Sequence, residues 1–224
     1  MLLNNDLSKR ARVHAARLDW VASPTAGVER RMLFRIGDEK ARASSIVRYA
    51  KGSRFPRHTH PGGEEFLVLE GTFEDESGEY PAGAYVRNPP GTAHAPGSTD
   101  GCIIFVKLWQ FRRDDLQPVA RRPGEGRHQE PDCGQVSSII LFEDAYEQVR
   151  IDEWAARASI NIPNARGLEL LVLSGGITEG GEELSRWSWL RLPPGEALHA
   201  RAGESGVRAW IKSAPLLHET VCAF

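Results

Sequence analysis

The sequence predicts an all-β protein made of two tandem barrels of one design. Glycine and proline, 22 and 14 of 224 residues, punctuate short runs rich in valine, isoleucine, leucine and aromatics. That is the pattern of many strands joined by turns. Helical periodicity is scarce. The second half also repeats the first: GEEFLVLEG at 63–71 lies over GLELLVLSG at 167–175, and NPPGTAH at 88–94 over LPPGEAL at 192–198, both at an offset of 104. GCIIFVK at 101–107 lies over GVRAWIK at 206–212, at an offset of 105. A duplicated β unit explains this better than coincidence.

The elements follow in order. Residues 1–18 are expected as a solvated N-terminal arm, and LSKRARVHAARLDW at 7–20, which overlaps its end, forms either a short helix or an extended segment. A first module over 19–111 contains VERRMLFRIG, ASSIVRYA, EFLVLEGTFED, GEYPAGAYVRNPPG and CIIFVKLWQF as strands, with a hairpin turn at EDESGEY. Residues 112–135 are charged, hold three prolines and lack apolar periodicity, so they read as a linker. Its arginines, Arg112, Arg113, Arg121 and Arg122, are answered by Asp114, Asp115, Glu125 and Glu130, a solvated face rather than a nucleic-acid patch. Strands resume over 136–224 with VSSIILFED, YEQVRI, ARASINI, LELLVLSGG, WSWLRLPPG and VRAWIKSA.

The 28 basic and 30 acidic residues nearly cancel, so no overall field attracts nucleic acid or an anionic membrane. Cys102, Cys133 and Cys222 are too few and too scattered for a disulfide framework. The start, MLLNNDLSKR, has too short an apolar stretch for a signal peptide, and no run reaches the length of a membrane span. A cytoplasmic protein is the expectation.

One stretch carries chemistry: FPRHTHPGGEEFLVLEGTF, Phe55 to Phe73. Strand side chains alternate, so His58, His60 and Glu64 share parity and point to one face unless Gly62-Gly63 resets it. Glu65 then lies on the other face. His94, after a Pro-Pro-Gly turn, supplies a fourth donor. Three imidazoles and one carboxylate without thiolate suit zinc, iron, manganese or nickel. His14 and His218 read as solvated, His128 and Cys133 as linker residues, and Cys102 as a small buried residue. Tyr85, Arg48, Arg87 and Trp109 either line a pocket or pack the core and rim.

Carried across the repeat, His58 becomes Ile162, His60 becomes Asn164, Glu64 becomes Leu168, and His94 becomes Leu198, or His199 if the one-residue slip comes first. The second barrel is therefore expected to be metal-free, its mouth filled by Ile162, Leu168 and Leu198.

These residues fit both signatures of the cupin superfamily, a double-stranded β-helix or jelly roll. Gly52, His58, His60, Glu64 and Gly71 carry the first, and Gly83, Pro89, Gly91 and His94 the second, with Ser98 where an asparagine often stands. DWVASPTAGVERRML, the stretch from Arg54 to Pro96 and GCIIFVKLWQF resemble the cupin module of ChrR-type anti-sigma factors. The resemblance implies zinc held by His58, His60, Glu64 and His94. It also implies stress-responsive restraint of an extracytoplasmic-function sigma factor. The helical clamp of that family has its own zinc site on a His-X3-Cys-X2-Cys pattern, and no stretch here matches it. The regulatory reading therefore calls for a sigma factor or a separately encoded clamp as partner, and for a small-molecule effector. The enzymatic reading is a cupin-type metal-dependent dioxygenase acting on a small carbonyl or diketone compound, for which no separate catalytic base is visible. A closed structural metal site is the third reading. No direct nucleic-acid or membrane partner is expected, and a homodimer is a fair expectation for assembly.

Overall fold

The computed structural model describes residues 1–38, 40–129 and 134–223. Among them the regular elements are β-strands and one 3-10 turn, Ala15–Arg17. The all-β jelly-roll expectation holds. Met1–Asn5, Leu18–Gly124 and Leu217–Phe224 form one compact unit, and Asp6–Arg17 with Glu125–Leu216 form another. The chain thus changes unit after residues 5, 17, 124 and 216.

In the first unit an antiparallel sheet runs Leu2–Leu3, Val28–Gly37, Ala41–Tyr49, Cys102–Leu108, Glu64–Asp75, Tyr85–Asn88, Val119–Arg121. Glu64–Asp75 is its spine. Phe66 and Val68 lie opposite Val106 and Ile104, and with Val47, Phe73, Ala84, Val86 and Cys102 they make the core. Between Ile103 and Ile104 the pairing jumps from Glu70 to Val68, a bulge that inverts side-chain parity along the spine. Phe73 consequently faces the same core as Phe66. At Gly71 φ is +69°, and an added Cβ would lie 2.1 Å from the Gly101 carbonyl oxygen, so only glycine fits. Past it the strand pairs with Gly78–Pro81 and with Gly97.

The second unit orders Arg127–Gln129, Val136–Glu143, Gln148–Trp154, Leu198–Ser213, Leu168–Glu179, Ser188–Leu192, Ala11–His14. Its spine, Leu168–Glu179, repeats the bulge between Val172 and Ser174, and Gly175 repeats Gly71 with φ +69° and a virtual Cβ 2.1 Å from the Gly206 carbonyl oxygen. The interior is aliphatic, with Leu168, Leu170, Leu184, Leu190, Leu192 and Leu198 fully buried. Each such side chain contributes about 1.5–3 kcal/mol through burial. The outward spine faces match as well. Tyr85 donates to Glu65 at 2.6 Å in one unit, and Trp189 donates to Glu169 at 3.1 Å in the other, at the offset of 104.

Several sequence expectations are corrected. The N-terminal arm takes the extended alternative and stays largely exposed, but it is not free: it adds short strands to both units. Leu2–Leu3 pairs with Ile36 and Arg35, and Ala11–His14 pairs with Arg191 to Ser188 as an edge strand of the second unit. Charge holds that edge: Arg10 and Arg12 both bind the buried Glu179, and His14 binds Glu182 at 2.5 Å and Ser188 at 3.1 Å. His14 is therefore not a free surface residue, and His218 is half-buried. The expected linker supplies a strand to each unit, Val119–Arg121 against Tyr85–Arg87 and Arg127–Gln129 against Ser138–Ile140. Within it Asp115 is buried and accepts from Arg87, and the buried Arg112 donates to Asp114, so this face is not wholly solvated. His128 is exposed on the second of these strands, and Cys133 lies outside the described residues. Leu217–Phe224 belongs to the first unit, where Val221 bridges Arg112.

Candidate metal centre

His58 and His94 face each other across a two-residue antiparallel ladder, His58–Thr59 against Ala93–His94. His60 is pinned by the Pro-Pro-Gly turn: its N–H donates to Thr92 O at 2.8 Å, and its carbonyl accepts from Gly91 N at 2.9 Å. The three rings meet edge to face, with centroids 5.0, 5.2 and 4.6 Å apart. One nitrogen from each lies within 4.8 Å of the others. Glu64, at the start of the spine, brings Oε2 to 3.6 Å from His60 Nε2 and 3.5 Å from His94 Nε2, and accepts from Asn88 Nδ2 at 3.1 Å. His60, Glu64 and His94 are buried, whereas His58 is exposed.

The outer nitrogens decide what the inner ones can do. His58 Nδ1 meets Pro56 O at 3.3 Å, and a carbonyl only accepts, so Nδ1 carries the proton. His60 Nδ1 meets Thr92 Oγ1 at 3.3 Å; that hydroxyl spends its own hydrogen on Pro89 O at 2.7 Å, so it too accepts. His94 Nδ1 donates to Asp75 Oδ2 at 3.2 Å. Each Nε2 is left to offer its lone pair inward, the arrangement in which metal-binding imidazoles are held by their far nitrogens. His60 Nε2 is buried with no hydrogen-bond partner. Donor atoms around a tetrahedral ion with bonds near 2.1 Å stand about 3.4 Å apart. The Glu64–histidine separations match that spacing, so the residues fit a divalent cation.

Burial pushes the His60 imidazolium below the usual histidine range, against the pull of Glu64. Burial acts the same way on His94, but the Asp75 hydrogen bond and the charges of Glu64 and Asp75 outweigh it and raise its value. Asp75 is lowered in turn: burial opposes ionisation, but the His94 bond and the Ser77 amide more than offset it. Burial pushes Tyr49, on the cavity wall, well above the usual phenol value, so it stays neutral.

The centre opens into a cavity of about 490 Å³ in the first unit. Val47, Ile104, Val106, Leu108 and Trp109 are among its apolar lining, and Arg30, Arg35 and Lys40 are its basic lining residues. Of the four pocket candidates only Trp109 lines it. Tyr85 and Arg87 are occupied by Glu65 and Asp115, and Arg48 binds Glu29.

In the second unit the register settles the counterpart of His94. Ile162 pairs with Leu198 where His58 pairs with His94, and His199 is exposed opposite Asn161. Leu168 and Leu198 are fully buried, and Ile162 packs against them. Asn164 clips its loop, donating to Pro193 O and accepting from Gly167 N. Glu179 stands at the position of Asp75 but binds arginines instead of an imidazole. Cys102 is buried, and burial pushes its thiol up to about 11.

Residues 8–112 match the family described as the ChrR cupin-like domain. No curated protein matches the chain. Among solved structures it is similar to the bacterial pirin YhhW from Escherichia coli in complex with nickel(II), at 17% identity and TM-score 0.67 over 92% of this chain and 99% of that one. It is also similar to a Cupin 2 conserved barrel domain protein from Leptotrichia buccalis, at 14% identity and TM-score 0.60 over 96% and 100%. Quercetin 2,3-dioxygenase from Acinetobacter baumannii shares 13% identity at TM-score 0.59, over 93% of this chain and 79% of that one. At these identities the likeness establishes the fold.

Proposed function

We propose that the first unit is a metal-dependent sensory module, a reading supported by the match of residues 8–112 to the ChrR cupin-like domain family. In this reading His58, His60, Glu64 and His94 hold a divalent ion, zinc by family resemblance, with iron, manganese and nickel as alternatives. The observation that carries it is the inward set of Nε2 atoms beside Glu64 Oε2, each ring fixed from behind. A cation there supplies Lewis acidity or a redox centre to whatever enters the cavity. Exposed His58 is the donor that an incoming molecule meets first, and Asp75 and Thr92 hold the two buried rings still. A change at His58 passes along the His58–His94 ladder to the strand ends, and from there to a partner. That partner is a sigma factor of the extracytoplasmic-function class or a separately encoded clamp.

The second reading is a dioxygenase of the cupin type, and the roomy cavity beside the donors favours it. Metal analysis of the purified protein, an oxygen-uptake assay with iron restored and a diketone supplied, and a pull-down for sigma factors separate the two. Retention of a sigma factor without turnover supports the sensory reading. Rapid oxygen uptake ends it. A protein that takes up no divalent metal ends both.

A further inference from the structure

We infer that the cavity is a binding site for a small organic carboxylate, whose charge is received by Arg30 while its apolar body lies against the apolar residues beside it. The proposal rests on the reading of this cavity as the ligand site of the first unit. Arg30 stands on Val28–Gly37 opposite Val47, whose side chain belongs to the core, and both line the cavity. Its Nε is buried without a hydrogen-bond partner, and among the described residues it makes no ion pair. A desolvated guanidinium donor without an acceptor costs stability until an acceptor arrives. The guanidinium fork suits a planar carboxylate.

The surroundings set the charge and size of the guest. Arg35 and Lys40 also line the cavity, and Glu64 is the only carboxylate among the described lining residues. Arg35 already donates to Asp38 O, which leaves Arg30 as the half-buried cation to be matched and favours a singly charged anion. Val47, Tyr49, Ile104, Val106 and Trp109 would cover a hydrocarbon or aromatic body. The cavity volume, about 490 Å³, falls in the small-ligand range of roughly 300–1,000 Å³.

Calorimetric titration with octanoate and with its uncharged analogue octanamide tests this, run side by side on metal-stripped and metal-loaded full-length protein. Octanoate is expected to bind the stripped wild type at least tenfold more tightly than octanamide, and Arg30→Gln to remove that preference. Arg48→Gln, which alters a guanidinium outside the cavity, should leave it intact. Equal affinity for the two probes, no octanoate binding, or an unchanged preference in Arg30→Gln overturns the proposal. So does binding that needs the metal and ignores Arg30. If Arg30→Gln does not fold, the wild-type comparison of the two probes decides alone. Failure to load metal, with the Arg30-dependent preference intact, would sink the metal reading and leave this one standing.

Discussion

Replacing Asp75 by asparagine should weaken metal binding without disturbing the fold. Asp75 Oδ2 accepts from His94 Nδ1 at 3.2 Å, and its Oδ1 accepts from the Ser77 amide at 2.8 Å. Asparagine keeps one oxygen for Ser77, so the turn survives. What is lost is the negative charge behind the imidazole, which raises the basicity of Nε2 and fixes its ring. The Asp75 side chain is only 5% exposed, so solvent screens little of that effect. Loss of such an outer partner typically weakens a metal site about 10–100-fold, or roughly 1.4–2.7 kcal/mol. Competition with a chromogenic chelator at neutral pH reads the constant directly. Glu179→Gln, at the matching position of the second unit, should leave metal affinity unchanged while lowering the melting temperature, because it removes the buried charge that Arg10 and Arg12 share and leaves them only Glu196 and Glu182. An Asp75→Asn protein that binds as tightly as wild type would refute the assignment of His94 as a ligand oriented by Asp75. A Glu179→Gln protein that loses metal would refute the placement of the site in the first unit.

Other outcomes follow from the same geometry. His60→Ala should leave the protein without metal after purification and His199→Ala should not, as elemental analysis will show. Leu198→Ala removes a fully buried side chain from the second core and should cost about 2–5 kcal/mol in denaturant unfolding, with metal content unaltered. Glu182 lies below its ordinary value of 4.5 chiefly through its hydrogen bond to His14, against the opposing effect of burial, with Arg12 adding to the lowering. A depressed carboxyl stabilises the fold above its unfolded value and loses that contribution as pH falls through the folded value. Melting curves of wild type and Glu182→Gln should therefore differ at neutral pH and converge in acid. A gap that persists at pH 2 would contradict this.

That His58, His60 and Glu64 come together was legible from their spacing, although a turn with Gly63 at φ +75° separates the histidines from the strand that Glu64 opens; Glu65 turns away to Tyr85. Asp75 was not. Counted from Glu64, its parity points outward, and only the bulge between Ile103 and Ile104 brings it back inside. Arg30 was missed for a different reason. Its strand reads as an unbroken mixed run, and nothing in its letters says which arginine faces Val47. The segments around Ala11–His14 and Val119–Arg121 looked solvated because their partners, Ser188–Arg191 and Tyr85–Arg87, lie far away along the chain. Charged edge strands carry no apolar period to betray them. The offset of 104, by contrast, transferred residue by residue: it placed Ile162 opposite Leu198 and repeated the Gly71 kink at Gly175.

The interleaved route of the backbone has a consequence for anyone wishing to separate the two barrels. A cut between residues 112 and 135 would not release self-sufficient halves. The leading fragment would keep Ala11–His14 without the sheet that receives it and would forfeit Leu217–Phe224. The trailing fragment would bare the flank of Ser188–Leu192, an open invitation to aggregate. The copy that kept its imidazoles and the copy that lost them are thus braided into one heritable piece, which neither gene fission nor limited proteolysis can cleanly undo.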